Sequence, residues 1–413
     1  MAVQQQPQPQ PSYVLRGHGA HIHSTSFIRS NSRLVTGDAD GWIVIWSLAT
    51  KRPVAVWRAH QGTILGADAW EGDKIITHGK DNKLIVWKLS EDDEDGLSVV
   101  LPVDPSPEPR KQPWALHILD VNTMNFCSFA QTSPPLDDGP SKELLVAVPN
   151  IMSSETVDIF HIPSSKRIYT LPNDPTFKGG MVMTISIFHH PQTSRLTVIA
   201  GYESGHTTVS QLSADSTWQT LYTAQSHTQP ILSLDTNPSK DFYITSSADA
   251  ILAKHPIPSS AENVMLPTGS KPLKTIQTKH SGQQGLRIRN DGKLFATAGW
   301  DSKVRVYSAK SMKELAVLKW HKEGCFAVAF ADLQNESEAE HESEGGDPNQ
   351  QALTKRLGTL TVKEERIWKA KMTHWVAVGS KDGKRMARSG FWFTFDRATY
   401  IAAKAKAGDI IQL

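Results

Sequence analysis

"GDADGWIVIW" (residues 37–46) places an Asp-Gly turn directly before an alternating apolar run that ends on Trp46, and "GKDNKLIVW" (residues 79–87) repeats the arrangement. Aligned on the aspartate, the pattern recurs at Asp40, Asp81, Asp249 and Asp301, each four positions after a threonine: Thr36, Thr77, Thr245 and Thr297. Each aspartate also follows a histidine (His18, His60, His227 or His280) by 21 or 22 residues. Six residues beyond each aspartate stands Trp46, Trp87, His255 or Tyr307, in every case a ring with a polar tip. A fifth copy, His321 with Asp382 in "HWVAVGSKDGK", fits if a long insertion separates the two.

The local chemistry of one unit is that of strands. "RLVTG", "KIITHG", "FYITSS" and "LFATAG" are short, β-branched or apolar, and stop at Gly, Ser or a charged turn, while "WIVIW", "KLIVW" and "KVRVY" run to an aromatic end. Asp-Gly, Asp-Asn and Asp-Ser supply the tight turn between them. An inner strand follows the histidine and an outer strand follows the hairpin, which makes four strands per unit. A carboxylate at the edge of such a packed sheet needs partners, because a buried unpaired charge is costly. The histidine can donate one N–H to it, its other nitrogen can meet the threonine hydroxyl, and the Trp indole can donate to that hydroxyl. The recurrence therefore marks a polar network that fixes each unit: His18, Asp40, His60, Asp81, His227, Asp249, His280, Asp301, His321 and Asp382.

At 413 residues the chain exceeds the ~250 to 300 at which one core stops growing, so a repeat array is expected. Lys+Arg 44 against Asp+Glu 42 gives a net charge of +2, too small to recommend nucleic acid or a membrane surface as partner. Cys127 and Cys325 have neither disulfide-framework nor zinc-ligand spacing, which suits a reducing compartment. "MAVQQQPQPQPS" has no charged n-region or apolar h-region, and no apolar run approaches a membrane span, so a soluble protein that is not secreted is expected.

"RGH" at 16–18 and "RAH" at 58–60, with the aspartate hairpins after them, resemble WD40 repeats, with degenerate closing dipeptides Trp46-Ser47, Trp87-Lys88 and Tyr307-Ser308. The resemblance implies an all-β, seven-bladed WD40 β-propeller. Blades three and four, drawn from "LLVAVPN…ETVDIFHI" and "LTVIAGYESGHTTVSQL", are irregular and lack the His/Asp spacing, with Phe160 and Ser210 near the ring position. "YVL" at 13–15 is expected to pair as the outer strand of the last blade and close the ring. Blade seven is irregular too: Arg388 stands where an aromatic is expected, so either Arg385 to Gly390 bulge out and Phe391 to Phe395 pair, or the blade is incomplete. The expected organisation is a disordered tail at 1–12, the propeller at 13–395, and a C-terminal tail at 396–413 able to form a short helix. Insertions at about 90–113, 131–143 and 331–370 are acidic or Pro-containing and are expected to be solvated, mobile loops.

Catalysis would need converging nucleophile, base or metal ligands. His189-His190 point to opposite faces of a strand, and His21 with His23 lacks a carboxylate or Cys beside it. No hydrolase, zincin, Walker or dinucleotide motif is present, so no enzyme, catalytic residue, cofactor, metal or small-molecule substrate is expected. Binding through loops is the remaining function. The residues just before each turn aspartate (Ala39, Lys80, Ala248, Trp300 and Lys381) lie on one face near the axis; Trp300, Lys80 and Lys381 are the partner-binding candidates. Trp300 either anchors an interface or tucks beneath an insertion.

"PSYVLRGHGAHIHSTSFI", "RLVTGDADGWIVIWSLATKRPVAVWRAHQGTILGADAW" and "PWALHILDVNTMNFC" together resemble the fungal ASTRA-associated protein 1 family. That resemblance implies a nuclear, non-catalytic scaffold subunit of the ASTRA complex, a chromatin regulator also linked to maturation of PI3-kinase-related kinases. Its implied partners are other protein subunits, RuvB-like ATPases and kinase maturation factors among them, with no direct nucleic acid and no membrane. A G-protein β-like subunit is the alternative, although Pro7, Pro9 and Pro11 break the N-terminal coiled coil that such a subunit uses. A WD40 peptide reader is a second alternative and requires an aromatic cage or Arg cluster on the axial face.

Overall fold

The computed structural model describes residues 10–106, 108–124, 126–134, 142–173, 178–259, 270–333, 361–384 and 390–394. Their strands form four-stranded antiparallel sheets arranged as an all-β propeller. Six sheets are each built from four consecutive strands, within residues 22–58, 64–120, 130–171, 182–225, 231–277 and 283–318. We call these blades one to six. One further four-stranded sheet is composite: Cys325–Phe330, Trp375–Ser380 and Gly390–Thr394 are completed on the outside by Tyr13–Leu15 from the other end of the chain. The innermost strands pack side by side: Ile22–Ile28 of blade one lies between Ile64–Trp70 of blade two and Cys325–Phe330 of the composite blade.

Blade-on-blade burial explains why "WIVIW" is apolar at consecutive positions. Ile43 and Ile45 pack with Trp57 and with Ile64, Ala67 and Ile75 of blade two. The alternate residues Val44 and Trp46 pack with Leu15, Ala329, Trp375 and Ala377 of the composite blade. A strand covered on both faces cannot alternate with polar residues.

Ring closure uses the register Tyr13↔Trp392, Val14↔Phe391 and Leu15↔Gly390, and Gly390–Thr394 pairs on its other edge with Trp375–Val378. Of the two alternatives for this blade, the pairing strand is therefore present, starting one residue earlier than expected. Arg388 lies outside the described residues, as do 1–9 of the N-terminal tail and the whole of 396–413.

The insertions differ from the expectation of solvated loops. Gln131 and Thr132, assigned to an insertion at 131–143, belong to Ala130–Thr132, the innermost strand of blade three. In 90–113 the acidic run forms a short 3-10 turn, Asp92–Gly96, that folds back on blade one. Glu94 is buried against two cations, accepting from Arg29 and from Arg33 Nη2 at 2.9 Å. The chain then runs along the outer strand of blade one, where Val56 N donates to Ser98 O at 2.8 Å. Within 331–370 the described residues include the start of a helix, Val362–Met372, whose capping box pairs Thr361 with Glu364. Asn31 ties that helix to the propeller by donating to Asp332 O at 2.7 Å and Lys371 O at 3.1 Å.

The polar network recurs, with substitutions. In blade two His60 Nδ1 meets Asp81 at 2.8 Å, His60 Nε2 meets Thr77 Oγ1 at 2.8 Å, and Trp87 Nε1 donates to the same hydroxyl at 2.8 Å. Gly79 makes room: a Cβ there would stand 2.2 Å from the His60 ring. In blade five His227 bonds Asp249 at 3.1 Å and Thr245 at 2.8 Å, and His255 takes the Trp position, 3.0 Å from Thr245 Oγ1. His321 and Asp382 meet at 3.0 Å across the longest insertion.

Two positions need correction. His18 bonds Asp38, not Asp40, at 2.8 Å, and also Thr36 at 2.7 Å. Asp38 is fully buried and accepts the amides of Asp40 and Trp42, both at 3.0 Å, whereas Asp40 is exposed in the turn. In blade six His280 lies 3.7 Å from Asp301 without a hydrogen bond and is 38% exposed. Arg305 binds Asp301 instead, through Nη2 at 2.6 Å, and Gln283 replaces the imidazole by accepting from Thr297 Oγ1 at 2.6 Å. Blade three has its own arrangement: Asn150 Nδ2 and Thr170 Oγ1 donate to the buried Asp158 at 2.9 and 2.8 Å.

Burial by itself would raise the Asp81, Asp249 and Asp382 carboxyls, but the histidine bond and turn amides outweigh it and hold them below the usual range. Burial pushes His78 and His255 down to about 3. A histidine depressed in the fold stabilises fully above its unfolded value near 6.5 and loses that contribution as pH falls toward the folded value. Stability is therefore expected to decline below about pH 6.5, with the carboxylates adding loss only below about pH 4. His78→Phe, packed beside Phe129, is expected to shallow the slope of unfolding free energy between these limits by up to about 1.4 kcal/mol per pH unit, read by urea titration. In the same assay at pH 7, Asp38→Ala and Asp81→Ala are expected to cost roughly 2–4 kcal/mol, and Asp40→Ala less than about 0.5 kcal/mol.

Candidate functional site

The blades present one set of turns around the axis in a common backbone geometry. Ala39, Lys80, Ala248, Trp300 and Lys381 each donate their backbone N–H to the carbonyl just before an innermost strand, at 2.8–3.1 Å: His21, Thr63, Pro230, Gly282 and Gly324. Glu203 of blade four makes the same bond to Met181 at 2.9 Å. In these six sheets one equivalent bond thus sets the residue that flanks the axis. In blade one that residue falls between the two aspartates, so the carboxylate that holds the turn comes from before it, not after it.

Trp300 is 48% exposed, and its indole is held: Nε1 donates to Gln284 Oε1 at 2.7 Å. The ring lies flat against Gly282 (φ +73°), where a Cβ would come within 2.2 Å of Cε3. Among the described residues nothing covers this ring fully, and Gln284 and Gly282 fix its orientation. Lys80 places its ammonium 3.8 Å from the Phe126 ring centroid, and Lys381 is exposed at the head of the turn that carries Asp382.

The sequence reading missed the aromatic part of this mouth. His23 stacks on Phe326 (ring centroids 5.0 Å, 3° between planes) and on Phe126 (6.1 Å, 20°). Burial, then the neighbouring His21, lower the His23 pKa to about 4, so this ring is neutral at physiological pH and works as an aromatic surface. His21 and His23, considered above as a metal pair, stand 6.3 Å apart by ring centroid, and among the described residues no group of three or more His, Cys, Asp or Glu is placed to hold a metal. Phe126 leaves no periodic signal because it sits in an irregular segment between two blades. In the same segment Met124 is 75% exposed, and in the loop after Pro149 Ile151 and Met152 are 52% and 92% exposed. Asn122 and Asn150 fix these loops: each side-chain oxygen accepts the amide two residues on, Met124 N and Met152 N, and Asn122 Nδ2 donates to Asn150 O at 2.6 Å.

Beneath the mouth a cavity of about 960 Å³ is lined by the innermost strands together with Phe126, Trp300, Glu323 and Lys381. Asp68, Asp235 and Arg287 also line it; burial raises both carboxyls, against the Ser26 hydroxyl bond at Asp68 and the pull of Arg287 at Asp235. The site therefore combines rigid rings with the exposed Lys80 and Lys381 and the carboxylate side chains of Glu203 and Glu323 at a shaped opening. Cys127 and Cys325 are buried, and burial pushes both thiols up, away from the reactive thiolate.

A family model described as ASTRA-associated protein 1 matches residues 11–388. Similar proteins of that name include one from Verticillium alfalfae, 50% identical over 379 residues that cover 91% of each chain. Another, from Pyricularia oryzae, is 44% identical over 459 residues, covering 91% of this chain and 96% of the relative. The match extends to Schizosaccharomyces pombe, at 34% identity over 358 residues, 78% of this chain and 93% of the relative. By family model and by relatives matched over most of their length, the chain belongs to the ASTRA-associated protein 1 family.

Proposed function

We propose that this protein is a non-catalytic WD-repeat scaffold subunit of an ASTRA-type complex, working in the nucleus in chromatin regulation and in the maturation of PI3-kinase-related kinases. The observation that carries the reading is the match of the family model across residues 11–388, which covers every described strand except Gly390–Thr394. The fold supports it: a ring of sheets offers many fixed loops for simultaneous protein contacts. RuvB-like ATPases and kinase maturation factors are the partners this reading names. A G-protein β-like role would instead require a small helical γ-like companion.

Affinity purification of the tagged chain from its native host, followed by mass spectrometry, tests the proposal. RuvB-like ATPases and very large kinases are expected among the recovered proteins; a γ-like subunit in their absence would overturn it. Trp300→Ala is expected to lower complex recovery by at least about tenfold, the loss of one interface anchor, with an unchanged melting temperature. Undiminished recovery would remove Trp300 from the interface.

A further inference from the structure

Between the third and fourth strands of blade two the chain leaves its own sheet and crosses blade one to the seam of the ring. Leu97 packs against the core shared by blades one and two, and Ser98 O accepts Val56 N at 2.8 Å on the outer strand of blade one. Gln112 Nε2 returns to the end of that strand, donating to Arg58 O at 2.8 Å. Between these anchors Leu101 reaches the apolar cluster that holds Leu15 of the closing strand, with Trp46 and Trp375. It seats on Gly17, where a Cβ would stand 2.5 Å from Leu101 Cδ2, and Val103 N donates to Gly17 O at 3.2 Å. Arg110 fixes the shape of this strap. Its guanidinium donates to three strap carbonyls, Val100 at 3.0 Å, Leu101 at 2.7 Å and Asp104 at 3.0 Å, and lies 4.5 Å from the centroid of the Trp42 ring.

These contacts fall beside the residues that close the ring and order its first unit. Gly17 lies just past the closing strand Tyr13–Leu15 and directly before His18, whose imidazole bonds Asp38 at 2.8 Å. Trp42 gives its backbone N–H to the same carboxylate, at 3.0 Å. The strap therefore touches both sides of the His18–Asp38 couple as well as the cluster behind the closing strand. That strand has three residues and three register pairs, and a chain end of that length stays ordered only where something further ties it down. We propose that the strap, residues 97–104 with Arg110, is the latch of the ring: it opens together with Tyr13–Leu15 and the His18–Asp38 turn as one cooperative unit, and Arg110 keeps it shut. A peripheral segment anchored by a few backbone bonds belongs to the low-stability end of a fold, and packed central strands belong to the high end. The planar guanidinium suits the task, since it serves fixed carbonyls and an aromatic face from one rigid fork, which an ammonium does not.

Whichever complex the chain joins, the latch is tested on the isolated full-length chain by native-state hydrogen exchange in subdenaturing urea, read by mass spectrometry. In the wild type, residues 13–18, 38–44 and 98–104 are expected to share one opening free energy, below that of residues 227–250 in blade five, which carry their own His227–Asp249 couple. Arg110→Ala is expected to speed exchange in those three segments at least about tenfold with blade five unchanged, and Leu101→Ala to speed the same segments. Arg110→Lys keeps the charge but not the fork, and should behave like Arg110→Ala. Strap amides that exchange while residues 13–18 stay as protected as blade five would show an independent loop and overturn the latch. So would an Arg110→Ala chain whose exchange rises equally in every blade, or an Arg110→Lys chain with wild-type exchange. The wild-type comparison needs no variant, so it decides the proposal even where a substitution prevents folding.

Discussion

One bonded sequence, carboxylate to imidazole to threonine hydroxyl to indole, underlies the architecture. In blade two it joins Asp81, His60, Thr77 and Trp87 and so ties the turn, the incoming loop and two central strands together. The energetic logic is one of necessity. A carboxylate, an imidazole and a hydroxyl are removed from water together, and each is satisfied only when the others are in register. Apolar packing between blades supplies most of the stabilisation, yet it is non-directional and does not specify which residue faces the axis. The polar sequence does: it holds the turn aspartate, and the residue beside it, Lys80, is delivered to the mouth.

Departures from the pattern obey the same constraint with other atoms. Arg305 and Gln283 meet the needs of Asp301 and Thr297 where His280 swings outward, and Asn150 with Thr170 meets those of Asp158 in blade three. The composite blade is held at two levels. Tyr13–Leu15 pairs with Gly390–Thr394 at the periphery, and His321 with Asp382 at the axial end. The pairing of Tyr13–Leu15 with Gly390–Thr394 covers an edge of the composite sheet that would otherwise be left unpaired.

Much of this was legible in the sequence because the repeat carries a physical demand at fixed spacing. His60 with Asp81, His227 with Asp249 and even His321 with Asp382, 61 residues apart, are found by type and register alone. Asp38 and Asp40 show where spacing ends: two carboxylates separated by one residue satisfy the pattern equally, and only the path of the strand decides which enters the core. Glu94 illustrates a second limit. An acidic run looks solvated until Arg29 and Arg33, about sixty residues earlier, are seen beside it. Phe126, His23 and Phe326 come from three separate parts of the chain and share no period, so the aromatic collar emerges only when the ring is closed.

The mouth then unites what the fold positions: residues set by equivalent backbone bonds, rings that stack across blades, and charged side chains of both signs. Hydrogen–deuterium exchange of the full chain, free and within the complex recovered from its native host, tests this most directly. The account predicts new protection confined to residues 80–82, 122–126, 150–153, 300–303 and 381–384, the turns and the loop around the mouth. Protection spread along the outer strands, with those segments exchanging as in the free chain, would contradict it.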